Sequence, residues 1–173
     1  MRLGGLSLVL LTVPALLELA GCASRGGEAP ASGSLRAFSS DSFVSCVPFA
    51  RAVTGIDIRG DAWTWWDHAA GRYARGQVPV PGAVLAFSGT RQLPLGHLSV
   101  VEAVVGPREI RVEHANWSST PAWRGTVLTG QGIVDVSPSN DWTSVRVQNH
   151  LGSLGGAYAA HGFIYQQRVA AAR

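Results

Sequence analysis

The stretch GHLSVVEAVVGPREIRVEHANW, residues 96–117, predicts the β-hairpin around which this chain folds. Segments rich in valine and isoleucine stand on either side of Gly106-Pro107, a pair of residues that is typical of turns. We therefore expect antiparallel strands at residues 97–105 and 109–117, joined by a turn over residues 105–108. The register that follows from this turn decides which polar side chains share a face.

Two histidines fall on one face of the predicted hairpin. The register places His97 opposite Asn116 and Ser99 opposite His114, so the histidines are diagonal neighbours with Cβ atoms roughly 7 Å apart. Side chains alternate between the faces of a strand, and Glu113 therefore points away from this group. A turn that differs by one residue would instead bring Glu113 onto the face. A single histidine on a strand is more often structural than catalytic, so the pairing is what indicates a site.

A helix is predicted by DSFVSCVPFARAVTG, residues 41–55, because its apolar side chains recur at helical spacing. Asp41 or Ser42 can cap this helix, and Gly55 can end it. Cys46 then lies in the first turns, where unpaired N–H groups and the helix dipole stabilise a thiolate. A lone cysteine is most often a buried structural residue. A catalytic Cys46 needs a histidine from elsewhere in the chain.

The remaining elements complete an α+β pattern, with helices first and an antiparallel sheet afterwards. Residues 60–77 predict a second amphipathic helix, with Trp65, Ala69 and Tyr73 on its buried side. Outside the hairpin, we expect strands at residues 83–87, 132–136, 143–148 and 162–167.

Composition excludes several classes of protein. Hydrophobic residues make up 46% of the 173 residues, which is too many for a disordered chain. The formal net charge of +3 is too small to predict nucleic-acid binding. His150 and His161 show no metal-ligand spacing, so we interpret both as structural or solvent-exposed and expect no metal and no cofactor. The length indicates one domain, which we expect to be a monomer.

The N-terminal sequence MRLGGLSLVLLTVPALLELAGCAS, residues 1–24, has the features of an exported lipoprotein. Its apolar run is short and interrupted by glycine and proline, as in a signal peptide rather than a membrane-spanning helix. Leu19-Ala20-Gly21-Cys22 resembles the lipobox of bacterial lipoproteins, in which the cysteine thiol carries the lipid. Ala23 and Ser24 follow Cys22, with no aspartate. The resemblance to lipoproteins of Gram-negative bacteria then implies an outer membrane lipoprotein that faces the periplasm. The alternative is an ordinary secretory signal with an incidental cysteine.

We predict four regions along the chain. They are a lipoprotein signal peptide at residues 1–21, a flexible tether at 22–40, a folded domain at 41–168 and a disordered tail at 169–173. With Cys22 lipidated, Cys46 has no partner for an intramolecular disulfide. A single free cysteine in an exported protein indicates a catalytic role.

Several motifs in this chain resemble the CHAP family of cysteine, histidine-dependent amidohydrolases and peptidases. They are SCVPFARAVTG, GDAWTWWDHAAGRYARG, PVPGAVLAF, GHLSVVEAV, IRVEHANW and GFIY, and together they cover about residues 41–167. The resemblance implies a papain-like fold, with N-terminal helices packed on an antiparallel β-sheet or half-barrel. It also implies that Cys46 is the nucleophile, that His97 is the general base, and that a polar residue on the next strand orients His97.

The orienting position departs from the family pattern. Many CHAP domains have a sequence similar to Glu-x-Asn-Trp where this chain has His114-Ala115-Asn116-Trp117. Related papain-like cell-wall peptidases use a Cys, His, His set, which makes His114 a candidate. Asn116 is the other candidate for the partner of His97.

The resemblance implies amide hydrolysis through a thioester, with peptidoglycan as the substrate of an envelope-anchored enzyme. The backbone N–H of Cys46 supplies one oxyanion donor. Ser45 stands where the family often has glutamine, which leaves the second donor open. The sequence does not choose between the muramoyl–L-alanine bond and the peptide bonds. The alternatives are a non-catalytic peptidoglycan-binding lipoprotein with the same fold, and an amidase that acts on a small amide.

Overall fold

The structure of this protein is a computed structural model that describes residues 43–118, 120–121, 124–149 and 151–170. Helix α1 spans Cys46–Thr54, and helix α2 spans Trp65–Ala69 directly after a 3₁₀ turn at Ala62–Thr64. Seven strands follow: β1 (Tyr73–Gly76), β2 (Val84–Phe87), β3 (His97–Gly106), β4 (Glu109–Ala115), β5 (Val127–Asp135), β6 (Ser144–Gln148) and β7 (Leu154–Arg168). The predicted α+β class, with helices before an antiparallel sheet, is confirmed.

The predictions for the N-terminal region concern residues outside this range. The signal peptide, Cys22 and the tether all precede residue 43, and His150 also lies outside the described residues. Within the part of the chain that the structure describes, no helix is long and apolar enough to cross a membrane.

The strands form one antiparallel sheet that closes on itself. Its order is β1-β7-β2-β3-β4-β5-β6, and β7 also pairs with β6. The length of β7 allows this closure, because residues 154–159 pair with β6 whereas residues 160–164 pair with β2. Strands β2 to β7 therefore make a barrel, and β1 pairs with the C-terminal part of β7.

Both faces of the central strands are buried. The barrel core is formed by side chains that point inward from β2 to β7, including Leu85, Phe87 and Phe163. The helix core lies on the outer face, where α1 and α2 cover alternate side chains of the same strands, including Val84 and Val100. All four residues of β2 are buried for this reason, which explains its continuous apolar run.

Helix α1 begins at Cys46, so the predicted capping by Asp41 or Ser42 is wrong. Ser45 occupies the N-cap position with an extended backbone, φ −95° and ψ 163°, and its side chain makes no capping hydrogen bond. The helix ends as predicted at Gly55, which adopts a left-handed φ of 71°. Cys46 therefore occupies the first helical position, where backbone N–H groups are not used within the helix.

The prediction of a second helix over residues 60–77 is wrong for most of that range. Only Trp65–Ala69 is α-helical, and Gly71 then takes a left-handed φ of 69° that ends the helical spacing. Tyr73 begins β1 and pairs with β7. Trp65, Ala69 and Tyr73 are nevertheless all buried, so the apolar pattern identified the core but not the element.

The β3–β4 hairpin has the predicted register at its open end but a different turn. Val100 pairs with Glu113, as the prediction requires. The turn lies at Pro107-Arg108, one residue later than predicted. Two bulges on β3 compensate, since Glu102 and Val105 are each inserted opposite no residue of β4.

Candidate active site

His97 and His114 are in contact at the open end of the hairpin. His97 is the first residue of β3, and His114 lies near the end of β4. Nε2 of His97 is 3.2 Å from Nδ1 of His114. The two side chains are 3% and 0% exposed, and they lie on the inner face of the barrel. The structure thus brings together two of the residues that the sequence singled out.

Ser99 is a third member of this cluster. Its Oγ is 2.9 Å from Nδ1 of His114, the same nitrogen that His97 contacts. Ser99 follows His97 by two residues, so strand alternation points both side chains into the barrel. The other ring nitrogen of His114, Nε2, is buried and has no hydrogen-bonding partner among the described residues. The sequence placed Ser99 on this face but gave it no role.

Aromatic rings enclose the two histidines. The ring centroid of Trp117 lies 4.7 Å from that of His97 and 5.5 Å from that of His114, and its plane is inclined by 19° to the latter. Phe87 of β2 meets His97 edge-on at 5.6 Å. These rings keep water away from the pair, so its hydrogen bonds are made in surroundings of low dielectric constant.

Burial makes both histidines weak bases. It lowers the pKa of His114 from 6.5 to about 3. Burial also lowers the pKa of His97 well below 6.5, and the neighbouring His114 adds a smaller contribution in the same direction. Both imidazoles are therefore neutral at pH 7, with one proton on one of the two ring nitrogens. A neutral imidazole has a lone pair that can accept a proton, as a general base must.

Cys46 lies at the start of α1, on the helix side of β3. Its half-buried side chain packs against the helix core, and the backbone N–H of Leu98 lowers the pKa of its thiol. Leu98 directly follows His97, so the thiol lies beside the strand end that carries the imidazole. Among the described residues, no hydrogen bond joins Cys46 to His97, whose ring bonds His114.

The prediction that the pKa of the Cys46 thiol is lowered overall is wrong, although the helix N-terminus contributes in the expected direction. Burial raises the pKa of the Cys46 thiol above its usual value of 9.0, and this effect exceeds the opposing effect of the N–H groups of Leu98, Cys46 and Val47. Cys46 and His97 are therefore both neutral at rest, rather than a thiolate and an imidazolium. A thiolate would form only when a proton moves from the thiol to the imidazole.

Asn116 bonds to a loop beside α1 and not to His97. Oδ1 of Asn116 accepts the N–H of Gly125 at 2.9 Å, and the carbonyl of Gly125 accepts the N–H of Val44 at 2.9 Å. Asn116 has a left-handed φ of 60°, which asparagine adopts more readily than most residues. Of the two candidate orienting residues, His114 contacts His97, whereas Asn116 holds the segment that leads into the cysteine helix.

Glu113 lies on the opposite face of β4 from His114. Its cross-strand neighbour Val100 belongs to the helix core, and Glu113 itself is only 9% exposed. Burial raises the pKa of this carboxyl, and the negative charge of Glu102 contributes in the same direction. Glu113 therefore points away from the histidines, as the predicted register requires.

Trp63 and Leu95 form an exposed apolar pair beside His97. They are 46% and 63% exposed, and the N–H of Trp63 donates to the carbonyl of Leu95 at 3.0 Å. Gly96 links Leu95 to His97 with a φ of 65°, and a Cβ there would lie 2.7 Å from the backbone nitrogen of Trp63. The chain thus requires glycine directly before the histidine strand, where the apolar pair meets solvent.

The other described histidines make separate contacts. His161 stacks on Trp66 with ring centroids 5.7 Å apart, and Nδ1 of His68 lies 3.3 Å from Oγ1 of Thr64. Across residues 43–118, 120–121, 124–149 and 151–170, no group of three or more histidine, cysteine, aspartate or glutamate side chains could hold a metal ion.

Comparison with protein-family models gives a match that covers the site. Residues 36–116 match the model of the CHAP domain. This range contains helix α1 with Cys46 and the hairpin with His97 and His114. A search of curated proteins finds no matching relative.

Proposed function

We propose, from the premise that this chain carries a CHAP domain, that it hydrolyses an amide bond of peptidoglycan through a thioester on Cys46. CHAP domains are generally cysteine- and histidine-dependent amidohydrolases or peptidases. The observation that carries the proposal is the contact of Nε2 of His97 with Nδ1 of His114, at the strand end beside Cys46. A cysteine nucleophile requires a base of this kind, held by a third group.

His97 would act through Nδ1, because its Nε2 is occupied by His114. In the resting state His97 carries its proton on Nε2, and this N–H donates a hydrogen bond to His114. Nδ1 of His97 therefore has a free lone pair. When substrate binds, Nδ1 takes the thiol proton and Sγ of Cys46 attacks the amide carbon. The C–S bond forms as the carbonyl π bond opens to an oxyanion.

The start of α1 would stabilise this oxyanion. The backbone N–H of Cys46 is one donor, and the positive end of the helix dipole lies at the same place. The C–N bond then breaks as the His97 imidazolium protonates the leaving amine. In the second half of the reaction, His97 takes a proton from water, and the hydroxide oxygen attacks the thioester. The acyl group leaves as a carboxylic acid and Cys46 regains its proton.

The fold supports this assignment at a coarser level. Helix α1, which begins with Cys46, packs on the outer face of an antiparallel barrel, and His97 and His114 lie on strands β3 and β4 of that barrel. We propose that this is a papain-like arrangement, in which the helix and the barrel each supply one reacting group.

We also propose that lipid on Cys22 holds the domain at the outer membrane of a Gram-negative envelope, where it faces peptidoglycan. The support is the motif Leu19-Ala20-Gly21-Cys22, followed by a Gly-, Ala- and Ser-rich segment over residues 22–40. Cells grown with labelled fatty acid should label the wild-type protein, and Cys22→Ala should abolish the label. Wild-type protein without label would refute the anchor and leave the proposed activity untouched.

The activity is tested by incubating the purified full-length protein with isolated peptidoglycan. Wild-type protein should release fragments that carry a new amine and a new carboxylate, and mass spectrometry would identify the bond that is cut. Cys46→Ala should release none of them while it still folds. Equal release by both proteins would rule out Cys46 as the nucleophile. Tight binding to peptidoglycan without any release by the wild type would support a non-catalytic role.

A further inference from the structure

Ser99 makes the shorter of the two hydrogen bonds to His114. Its Oγ lies 2.9 Å from Nδ1, whereas Nε2 of His97 lies 3.2 Å from the same atom. Ser99 is 0% exposed, so its hydroxyl does not exchange this partner for bulk water. The serine and the base lie on the same strand and face, two residues apart, so they approach His114 together.

The orientation of the His114 ring depends on these bonds. The torsion that rotates an imidazole about its Cβ–Cγ bond has broad, roughly two-fold preferences, so packing alone distinguishes the two ring orientations weakly. Nε2 is buried without a hydrogen-bonding partner within the described ranges, so polar contacts hold the ring only at Nδ1. A ring turned by 180° would place a carbon atom where Ser99 and His97 now meet a nitrogen.

The tautomer of His114 also matters to the base. His97 can take a proton on Nδ1 only if its own proton sits on Nε2, and Nδ1 of His114 must then offer a lone pair. In the opposite tautomer, His114 would donate from Nδ1 to His97. The proton of His97 would then sit on its Nδ1, where it blocks transfer from Cys46.

We propose that Ser99 is a positioning residue. Its hydroxyl donates a hydrogen bond to Nδ1 of His114, where it shares the lone pair with the Nε2–H of His97, and so fixes both the ring orientation and the tautomer that His97 needs. A hydroxyl donor at Nδ1 stabilises the form that carries the lone pair there. When His97 becomes an imidazolium, its N–H is the stronger donor, and the serine hydroxyl can rotate away without any backbone movement. The consequence for turnover rests on the proposed function, whereas the effect on the His114 ring does not.

Kinetics of two single variants and one double variant test the role. Ser99→Ala should lower kcat about tenfold with KM within about twofold, which is less than the loss of up to ~10⁴-fold when an orienting group itself is removed. In the His114→Ala background, Ser99→Ala should lower kcat by less than about a further twofold, because the effects of residues that act through one another are not additive. A full tenfold loss in that background would overturn the proposal.

Ser137→Ala is the matched control. Ser137 is also buried, 2% exposed, and its Oγ accepts the N–H of Asp141 at 3.0 Å, beyond the hairpin end that is opposite to the histidines. The Ser137→Ala variant lacks a buried hydroxyl, so its free energy of unfolding should fall, while its kcat stays within about twofold of the wild type.

The ¹⁵N resonances of the histidine rings give a readout that does not depend on activity. In the wild type, Nδ1 of His114 should have the shift of an unprotonated ring nitrogen and Nε2 that of a protonated one. In Ser99→Ala the two tautomers should mix, and in Ser137→Ala the spectrum should stay unchanged. A His114 spectrum that Ser99→Ala leaves unchanged would overturn the proposal. If the wild type cuts no peptidoglycan, the proposed function fails, and these spectra still decide whether Ser99 positions His114.

Discussion

Nε2 of His97 lies 3.2 Å from Nδ1 of His114, so a neutral ring stands where it can orient the candidate base. A carboxylate at this position would attract an imidazolium, whereas a neutral imidazole offers it only a lone pair. Proton transfer from Cys46 would therefore create a positive charge on His97 that a hydrogen bond, and not an ion pair, must stabilise.

His114→Ala should lower kcat on peptidoglycan by roughly ten- to a thousandfold, since His97 loses the partner of its Nε2. His114→Glu should retain activity and raise the pKa of His97, because a negative neighbour favours the imidazolium. The acid limb of the pH dependence of kcat/KM should then move to higher pH. An acid limb that stays in place in His114→Glu would contradict the assignment of His97 as the base.

Glu113→Gln is the control for that experiment, because Glu113 lies next to His114 in sequence but points to the helix core. It should change kcat by less than about threefold, since it removes a charge from the face that His97 does not use. A severe loss in Glu113→Gln together with normal turnover in His114→Ala would mean that the two residues have exchanged roles.

Alkylation of Cys46 by iodoacetamide should be slow at neutral pH and should rise with a midpoint above 9.0, because burial raises the pKa of the thiol. Only the thiolate reacts, so the rate constant against pH measures its population. The kcat/KM profile should be broad, with its acid limb below 6.5, where His97 becomes protonated. An alkylation midpoint well below that of an ordinary thiol would instead indicate a preformed ion pair.

The free energy of unfolding should fall as the pH is lowered below 6.5. The pKa of His114 is about 3 in the folded protein, so between these values the unfolded chain binds more protons than the folded one. The buried neutral His114 should therefore contribute a slope of up to about 1.4 kcal/mol per pH unit in this window. Urea unfolding of the wild type and of His114→Gln at several pH values measures it. Parallel curves would show that His114 is not held neutral by burial.

Asn116→Gly should lower the free energy of unfolding by about 1 kcal/mol, because the N–H of Gly125 loses its acceptor while the left-handed backbone is still allowed. Asn116→Asp keeps an acceptor at the same place and should be more stable than the glycine variant. We expect kcat of Asn116→Gly to fall less than that of His114→Ala. A larger fall in kcat for Asn116→Gly than for His114→Ala would instead indicate that Asn116 is the residue that orients His97.

The face of β4 that holds His114 could be predicted from the sequence, because side chains alternate along a strand and the apolar Ile110 and Val112 share that face. The turn signal placed the turn one residue too early, at Gly106-Pro107, since nothing in the valine-rich run marks where a bulge falls. The site register is correct because the two bulges cancel the displaced turn. The pairing of Val100 with Glu113 then leaves His114 on the inner face.

Other features could not be predicted from local sequence patterns. The pKa of Cys46 depends on burial by distant segments, which outweighs the helix N-terminus that the sequence does show. Strand β1 was missed because Tyr73 also continues the helical spacing of Trp65 and Ala69. Strand β7 begins at Leu154, earlier than predicted. Leu154 is followed by Gly155, Gly156 and Ala157, which have low strand propensity, and this segment pairs with β6.

Because of the bulges at Glu102 and Val105, the pairing register at the histidines does not depend on the length of the hairpin near its turn. Deleting Val105 would remove a residue that faces no partner on β4, so Val100 could keep its pairing with Glu113. A change in the bulges could therefore compensate for a single-residue insertion or deletion between Glu102 and the turn, and the pairing beside His97 and His114 would stay the same. The far end of this hairpin is therefore where the chain can change in length through evolution while His97 and His114 remain neighbours.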